Sequence, residues 1–360
     1  MGRNIILCLD GTNNEYSATN TNVVKIHALL RRDSAEQITY YQPGIGTMPP
    51  PGYYSKAKEI ILKQLDLAIA FLLRDHVLDA YRFLMNAYEE GDNIYLFGFS
   101  RGSYTARVLA AMVRKVGLIG RENEELIPFA WDIYTRKYSN AGTVIAQGFR
   151  QTFSRDIRIK FLGLWDTVSS VGWTYNPKHY EFTANNPSVE IVRHAVSLDE
   201  RRAYFPQNLW THTPPESQDV DEVWFPGVHC DIGGGYLESE AGLSKIPLRW
   251  LVSEAIEKGL LVDPVAMARV IPQMTTDEYS APDPCAMMHN SLKGLWWILE
   301  FLPKRVRDPK HGFSKKFIFH EGHPRVVEDG AKLHISIFER MSRLVEYKPR
   351  NIPSNYIEVK

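Results

Sequence analysis

The run Tyr95-Leu96-Phe97-Gly98-Phe99-Ser100-Arg101-Gly102-Ser103-Tyr104 constrains this chain more than any other stretch. An apolar, aromatic segment leads into Gly-x-Ser-x-Gly, and a helical pattern follows from Tyr104 to Val116. A serine set between a buried strand and a helix occupies a strained turn, and glycines two residues to either side avoid clashes where the two backbones crowd. Gly98 and Gly102 fill those places. The helix start then lends its amide dipoles to a developing oxyanion, with the Arg101 N–H as the natural first donor. Short patterns of this kind recur by chance, but the strand before and the helix after mark Ser100 as a nucleophile.

Other segments extend the same architecture. Short runs at Asn4 to Leu9, Gln37 to Tyr41, Asn93 to Phe97, Ile157 to Leu164 and Asp221 to Phe225 have the apolar, β-branched or aromatic character of buried parallel strands. Helical patterns at Ala57 to Leu73, Val77 to Tyr88 and Tyr104 to Val116 alternate with them. The expected fold is α/β and α/β-hydrolase-like, a mostly parallel sheet flanked by helices, with loop and helical insertions forming a cap. One catalytic domain over 1–360 is expected, with insertions around 120–155, 170–215 and 265–330.

A serine is a poor nucleophile at its free pKa, so a histidine must take its proton and a carboxylate must fix the histidine tautomer. In this architecture the order along the chain is Ser, then Asp or Glu, then His. Phe161-Leu162-Gly163-Leu164-Trp165-Asp166 reads as a strand ending in an acid, and Asp166 is the candidate. An Asp that merely caps a turn is the competing reading. Asp199 is a weaker rival because the adjacent Arg201 and Arg202 suggest an ion pair. Among eleven histidines, His229 follows a strand and precedes the Gly233-Gly234-Gly235 run, so it is the candidate base, with His194 and His334 as fallbacks.

Leu9-Asp10-Gly11-Thr12-Asn13 ends the first strand in a polar turn. Gly11 or Thr12 is a candidate second oxyanion donor through its backbone, and Asp10 a brace for the loop. Asp231, two residues past His229, has three readings: support of the imidazole, fixing the glycine loop, or binding a cation; fixing the loop is the plainest. No H-E-x-x-H or paired C-x-x-C pattern supports zinc, and no metal or cofactor is expected.

Charge sets limits on partners. The 42 basic and 42 acidic side chains cancel, so no global field favours nucleic acid or an anionic membrane. Three cysteines, Cys8, Cys230 and Cys285, form no disulfide framework, and a reducing compartment is expected. The first apolar run is too short for a signal peptide, so a cytoplasmic protein, or one secreted without such a signal, is expected. The stretch from Leu292 to Arg305, with Trp296 and Trp297 inside basic edges, reads either as a lid or interfacial anchor, giving peripheral membrane contact, or as a helix packed over the core or bordering the cleft.

Leu9-Asp10-Gly11-Thr12-Asn13, Thr21-Asn22-Val23, Tyr41 to Thr47, Gly98 to Gly102, Trp165-Asp166-Thr167-Val168, Leu198 to Arg202 and Phe225 to Tyr236 form an ordered set. With it the chain resembles an uncharacterised α/β-hydrolase family that includes phospholipase effectors of bacterial type VI secretion. The resemblance implies a triad of Ser100, Asp166 and His229 acting on lipid or other carboxylic esters. Cys230 stands where the family would place a serine, and the chain carries little beyond the hydrolase domain. The substrate expected is a small-molecule or lipid ester; no protein partner is specified. Thioester cleavage or acyl transfer on the same triad, and a binding module without catalysis, are the competing functions.

Overall fold

All six residues of β1 (Asn4–Leu9) are buried, yet they serve two separate cores. Ile5, Leu7 and Leu9 face one side and Ile6 and Cys8 the other, the period-two alternation of a strand covered on both faces. The computed structural model describes residues 2–11, 16–44, 61–136, 140–168, 180–210, 214–294, 296–301, 304–308 and 312–360.

The further strands of this sheet are β2 (Gln37–Gln42), β3 (Asn93–Phe99), β4 (Ile159–Trp165), β5 (Val189–Ser197), β6 (Asp219–Phe225), β7 (Ala331–His334) and β8 (Tyr356–Val359). They lie in the order β8-β7-β6-β5-β4-β3-β1-β2, and every pairing is parallel. The helices in chain order are α1 (Asn22–Leu29), α2 (Ile61–Ala87), α3 (Arg101–Val116), α4 (Ile127–Thr135), α5 (Asn140–Phe153), α6 (His229–Gly233), α7 (Gly242–Glu257), α8 (Pro264–Val270), α9 (Trp296–Glu300) and α10 (Ser336–Arg343). α2, α3 and α4 pack on the Leu7 face, and α1, α7 and α8 on the Cys8 face. The chain therefore changes face as it passes from β1 to β2 to β3. This is the switch point at which open parallel sheets leave a crevice beyond their carboxyl ends.

Register brings those ends into line. Leu9 pairs with Gly98, Phe99 with Trp165, Trp165 with Ala195, and Ser197 with Phe225. Asp10, Ser100 and Asp166 each follow the last residue of a strand and so emerge along one edge.

Several expected boundaries move. The two helices expected at 57–73 and 77–88 form one, α2, because neither Gly nor Pro stands between them to stop it; residues 57–60 lie outside the described ones. The interval 170–215, read as an insertion, carries β5, which lies inside the sheet between β4 and β6. Its Arg193 and His194 are buried because both are paired: Arg193 with Asp219 at 2.8 Å and Glu254 at 2.5 Å, His194 with Glu222 at 2.7 Å. The intervals 120–155 and 265–330 hold mainly helices, turns and short two-stranded pairings outside the main sheet. Among the described residues no helix is long and apolar enough to cross a membrane.

Candidate active site at the strand ends

Ser100 sits at φ 58°, ψ −122°, between β3 and α3. A non-glycine residue held there is strained by about 1–3 kcal/mol, and only dense surroundings maintain it. Those surroundings need both flanking glycines. A β-carbon on Gly98 would stand 2.6 Å from the Ser103 nitrogen, and one on Gly102 would meet the strand end of β1. Ser103 ties the turn down by donating its hydroxyl to the carbonyl of Gly98 at 2.6 Å and that of Trp165 at 3.0 Å. Asp166, the first residue past β4, is also left-handed, at φ 37°.

The structure brings Ser100, His229 and Asp166 together. Ser100 Oγ and His229 Nε2 are 2.9 Å apart, and His229 Nδ1 lies 2.6 Å from Asp166 Oδ2. An ionised carboxylate only accepts, so Nδ1 carries the proton and Nε2 is left to accept the serine hydroxyl. The imidazole is wedged between Phe99, with ring centroids 4.7 Å apart, and Phe205, edge-on at 4.9 Å. Burial lowers the His229 pKa and outweighs the opposing charges of Asp166 and Glu200. Burial alone would raise Asp166, but the Arg325 charge and the His229 hydrogen bond hold its carboxyl below the usual carboxylate range.

α6 opens with His229 immediately after a loop whose Gly227 has φ 119°, where a β-carbon would lie 2.4 Å from the Asp231 side chain. Asp231 fixes that loop, accepting the Val228 N–H at 3.0 Å and His289 through both its backbone N–H and Nδ1. Tyr236 stacks on His289 at 3.5 Å. Both Asp231 oxygens are thus engaged with donors of Val228 and His289, so the loop it holds is the one before His229 rather than the Gly233-Gly234-Gly235 run expected from the sequence. Among the described residues no cluster of three or more His, Cys, Asp or Glu could hold a metal.

Asp10 braces its turn, accepting the Gly11 N–H at 2.7 Å and the hydroxyls of Thr21 at 2.7 Å and Tyr41 at 3.0 Å. That geometry corrects the expectation for Gly11, whose N–H is turned to Asp10. Thr12 lies outside the described residues. Arg101, first residue of α3, has an N–H with no acceptor within the helix.

The other candidates lie elsewhere. His194 donates to Glu222 and accepts the Thr167 N–H at 3.1 Å, and His334 bonds Ser336 and stacks on Phe225. Asp199 is not in the expected ion pair: it accepts the Gly227 N–H and the Tyr347 hydroxyl, and burial pushes its carboxyl up to about 6. The neighbouring Glu200 takes Arg202 instead, at 2.9 Å, and accepts the His229 N–H at 3.2 Å and the Ser291 hydroxyl at 2.9 Å. Two further groups touch this centre: Glu200, within the Leu198 to Arg202 segment but given no role from the sequence, and Arg325, which no motif marks. In the Leu292 to Arg305 stretch, Trp296 of α9 packs edge-on against Phe205 at 5.5 Å and so borders the site, whereas Trp297 and Phe301 are exposed.

The sequence profile of the type VI secretion phospholipase effectors of the Tle1-like family, catalytic domain, matches residues 3–254. The chain belongs to this family. All three members of the hydrogen-bonded series fall within the Tle1-like region, and Arg325 falls beyond it. An uncharacterised protein of Saccharomyces cerevisiae, YEL023C, is 28% identical, with 98% of this chain and 81% of that protein covered. Two solved structures are also similar. One is an uncharacterised protein from Pseudomonas aeruginosa, 22% identical with a TM-score of 0.44, covering 78% of this chain and 49% of that one. The other is the Tle1 effector bound to the VgrG spike of the type VI secretion system, 18% identical with a TM-score of 0.41, covering 68% and 53%. The chain spans about half the length of each of these two structures.

Proposed function

We propose that this Tle1-like protein is a serine hydrolase that cleaves carboxylic esters of lipids, phospholipids among them, through an acyl-enzyme. The observation that carries the proposal is the 2.9 Å contact of Ser100 Oγ with an imidazole whose other nitrogen is fixed on Asp166. Family membership supports the lipid ester as substrate.

In the reaction so read, His229 takes the Ser100 proton as Oγ bonds to the ester carbonyl carbon, and the carbonyl π pair moves onto oxygen. The Arg101 N–H at the start of α3 faces the charge that develops there, and one such donor accounts for about 100- to 1000-fold in rate. Collapse breaks the bond to the alcohol, which leaves with the proton from His229. Water, deprotonated in turn by His229, attacks the acyl-Ser100 carbonyl; collapse breaks the acyl–Oγ bond, Oγ takes the proton back from His229, and the acid is released. Burial lowers the imidazole pKa and so leaves it neutral, ready to take a proton from Ser100 and later from water.

A fluorophosphonate probe tests the nucleophile and vesicles test the substrate. Wild type is expected to be labelled, Ser100→Ala not, and His229→Ala at a rate lower by at least about 1000-fold. Release of fatty acid from phospholipid vesicles, compared with short-chain soluble esters, then assigns the ester class. Equal labelling of wild type and Ser100→Ala would remove the proposal.

A further inference from the structure

Five N–H donors make up a guanidinium, and all five of Arg325 are engaged at one place. Nη1 donates to Asp166 Oδ1 at 2.5 Å and to the Ser197 carbonyl at 3.1 Å. Nη2 donates to Asp166 Oδ2 at 3.0 Å and to the Phe205 carbonyl at 2.6 Å, which also receives Nε at 3.2 Å. Asp166 is saturated in turn: Oδ1 also accepts the Ser197 N–H at 2.9 Å, and Oδ2 is shared between Arg325 and His229. The acid has no freedom to rotate away from the imidazole, and its charge is divided between two cation-capable partners.

We propose that Arg325 is a positioning residue for the hydrolysis, holding Asp166 in the orientation that fixes the His229 tautomer and keeping the imidazole a weaker base by neutralising the carboxylate behind it. This rests on the serine-hydrolase reading and assigns a role to a residue outside the 3–254 family match. A carboxylate paired with a fixed cation stabilises an imidazolium less than a free one. The charges around the ring support the effect because they come in pairs. From the loop after β5, Glu200 pairs with Arg202, and from the end of β4, Asp166 pairs with Arg325; on α6, Asp231 accepts hydrogen bonds from Val228 and His289. The Cys230 thiol beside the ring stays neutral, since burial pushes it up to about 12. Removing Arg325 alone therefore leaves one unpaired negative charge against His229.

The test is the pH dependence of the fluorophosphonate labelling rate of the full chain. In Arg325→Met the acid half-point is expected to rise by about one pH unit or more, because the imidazole gains a free counter-charge. Arg325→Lys retains the charge but not the fork, so its half-point is expected within about half a unit of wild type while its plateau falls. Equal half-points in wild type and the Met variant, or Met and Lys variants that behave alike, would overturn the proposal. If the Met variant does not fold, Arg325→Gln, which keeps two donors without the charge, makes the same comparison. The downfield Nδ1 proton of His229, titrated by NMR in wild type and in Arg325→Gln, reads the same effect directly: a higher midpoint in the variant supports the proposal, and equal midpoints overturn it. Absence of labelling in wild type would instead remove the serine-hydrolase reading itself.

Discussion

Gly102 lies so close to Leu9 that a β-carbon there would stand 2.1 Å from the Leu9 carbonyl oxygen. The first turn of α3 is thereby seated directly on the end of β1, which sets where the Arg101 amide points. Gly102→Ala must push strand and helix apart, and a loss of more than about 3 kcal/mol is expected from such backbone overpacking. Thermal unfolding checks this; an unchanged midpoint would mean that the two backbones do not meet this closely.

Asp166→Asn tests the orientation of the imidazole. Asparagine fills the same volume, but it brings no charge to Arg325 and its amide group can favour the wrong His229 tautomer. A drop of about 10,000-fold in kcat is expected, the scale seen when a triad acid is neutralised. A variant within tenfold of wild type would show that the acid is not needed.

For the unmodified protein the sign of the acid limb follows from the imidazole. In the proposed reaction His229 acts when neutral, and burial lowers its pKa, so activity is expected to persist below the usual imidazole range and to fall only as pH drops through the lowered value. The half-point of kcat/KM is expected below about 6.5. Asp166 remains ionised throughout that interval because Arg325 and His229 outweigh its burial. A half-point above the ordinary imidazole value would contradict the desolvation of the ring.

Acid also weakens the fold through Glu200. Burial would raise its carboxyl, but Arg202 outweighs this and brings it to about 2. A depressed carboxylate contributes stability that is complete above its unfolded pKa and is lost as pH falls towards the folded one. Wild type is therefore expected to lose about 3 kcal/mol between pH 5 and 2 that Glu200→Gln does not. Urea unfolding at several pH values measures the difference; parallel curves would remove Glu200 as the source.

His289→Ala removes a partner from Asp231 without touching Ser100 or Asp166. It is expected to cost about 1–3 kcal/mol, and the fluorophosphonate labelling rate should stay within tenfold. Dialysis against EDTA should leave activity unchanged, since Val228 and His289 already take both Asp231 oxygens. A loss restored by a divalent cation would reassign Asp231 as a ligand.

Much of the centre was legible because it lies at points where strong local rules meet. Ser100 is marked by its glycines, Asp166 by the strand it ends, and His229 by the glycine loop after β6. β5 was hidden by its own chemistry: Arg193 and His194 interrupt the apolar run, and their partners Asp219, Glu222 and Glu254 come from β6 and α7. Arg325 has no local signature at all. Its charge is matched by Asp166, 159 residues earlier in the chain, and no pattern of period or spacing spans such a gap. Gly11 shows the opposite failure, a turn read correctly whose amide is claimed by the side chain next to it.

From β3 outward the strands are laid side by side in the order in which they are translated. A nascent chain can therefore extend its sheet one edge at a time, each new strand docking on a template already in place. The guanidinium that clamps Asp166 arrives last, between β6 and β7. A ribosome-bound fragment that has already assembled Ser100, Asp166 and His229 thus still lacks its clamp until residue 325 has left the exit tunnel.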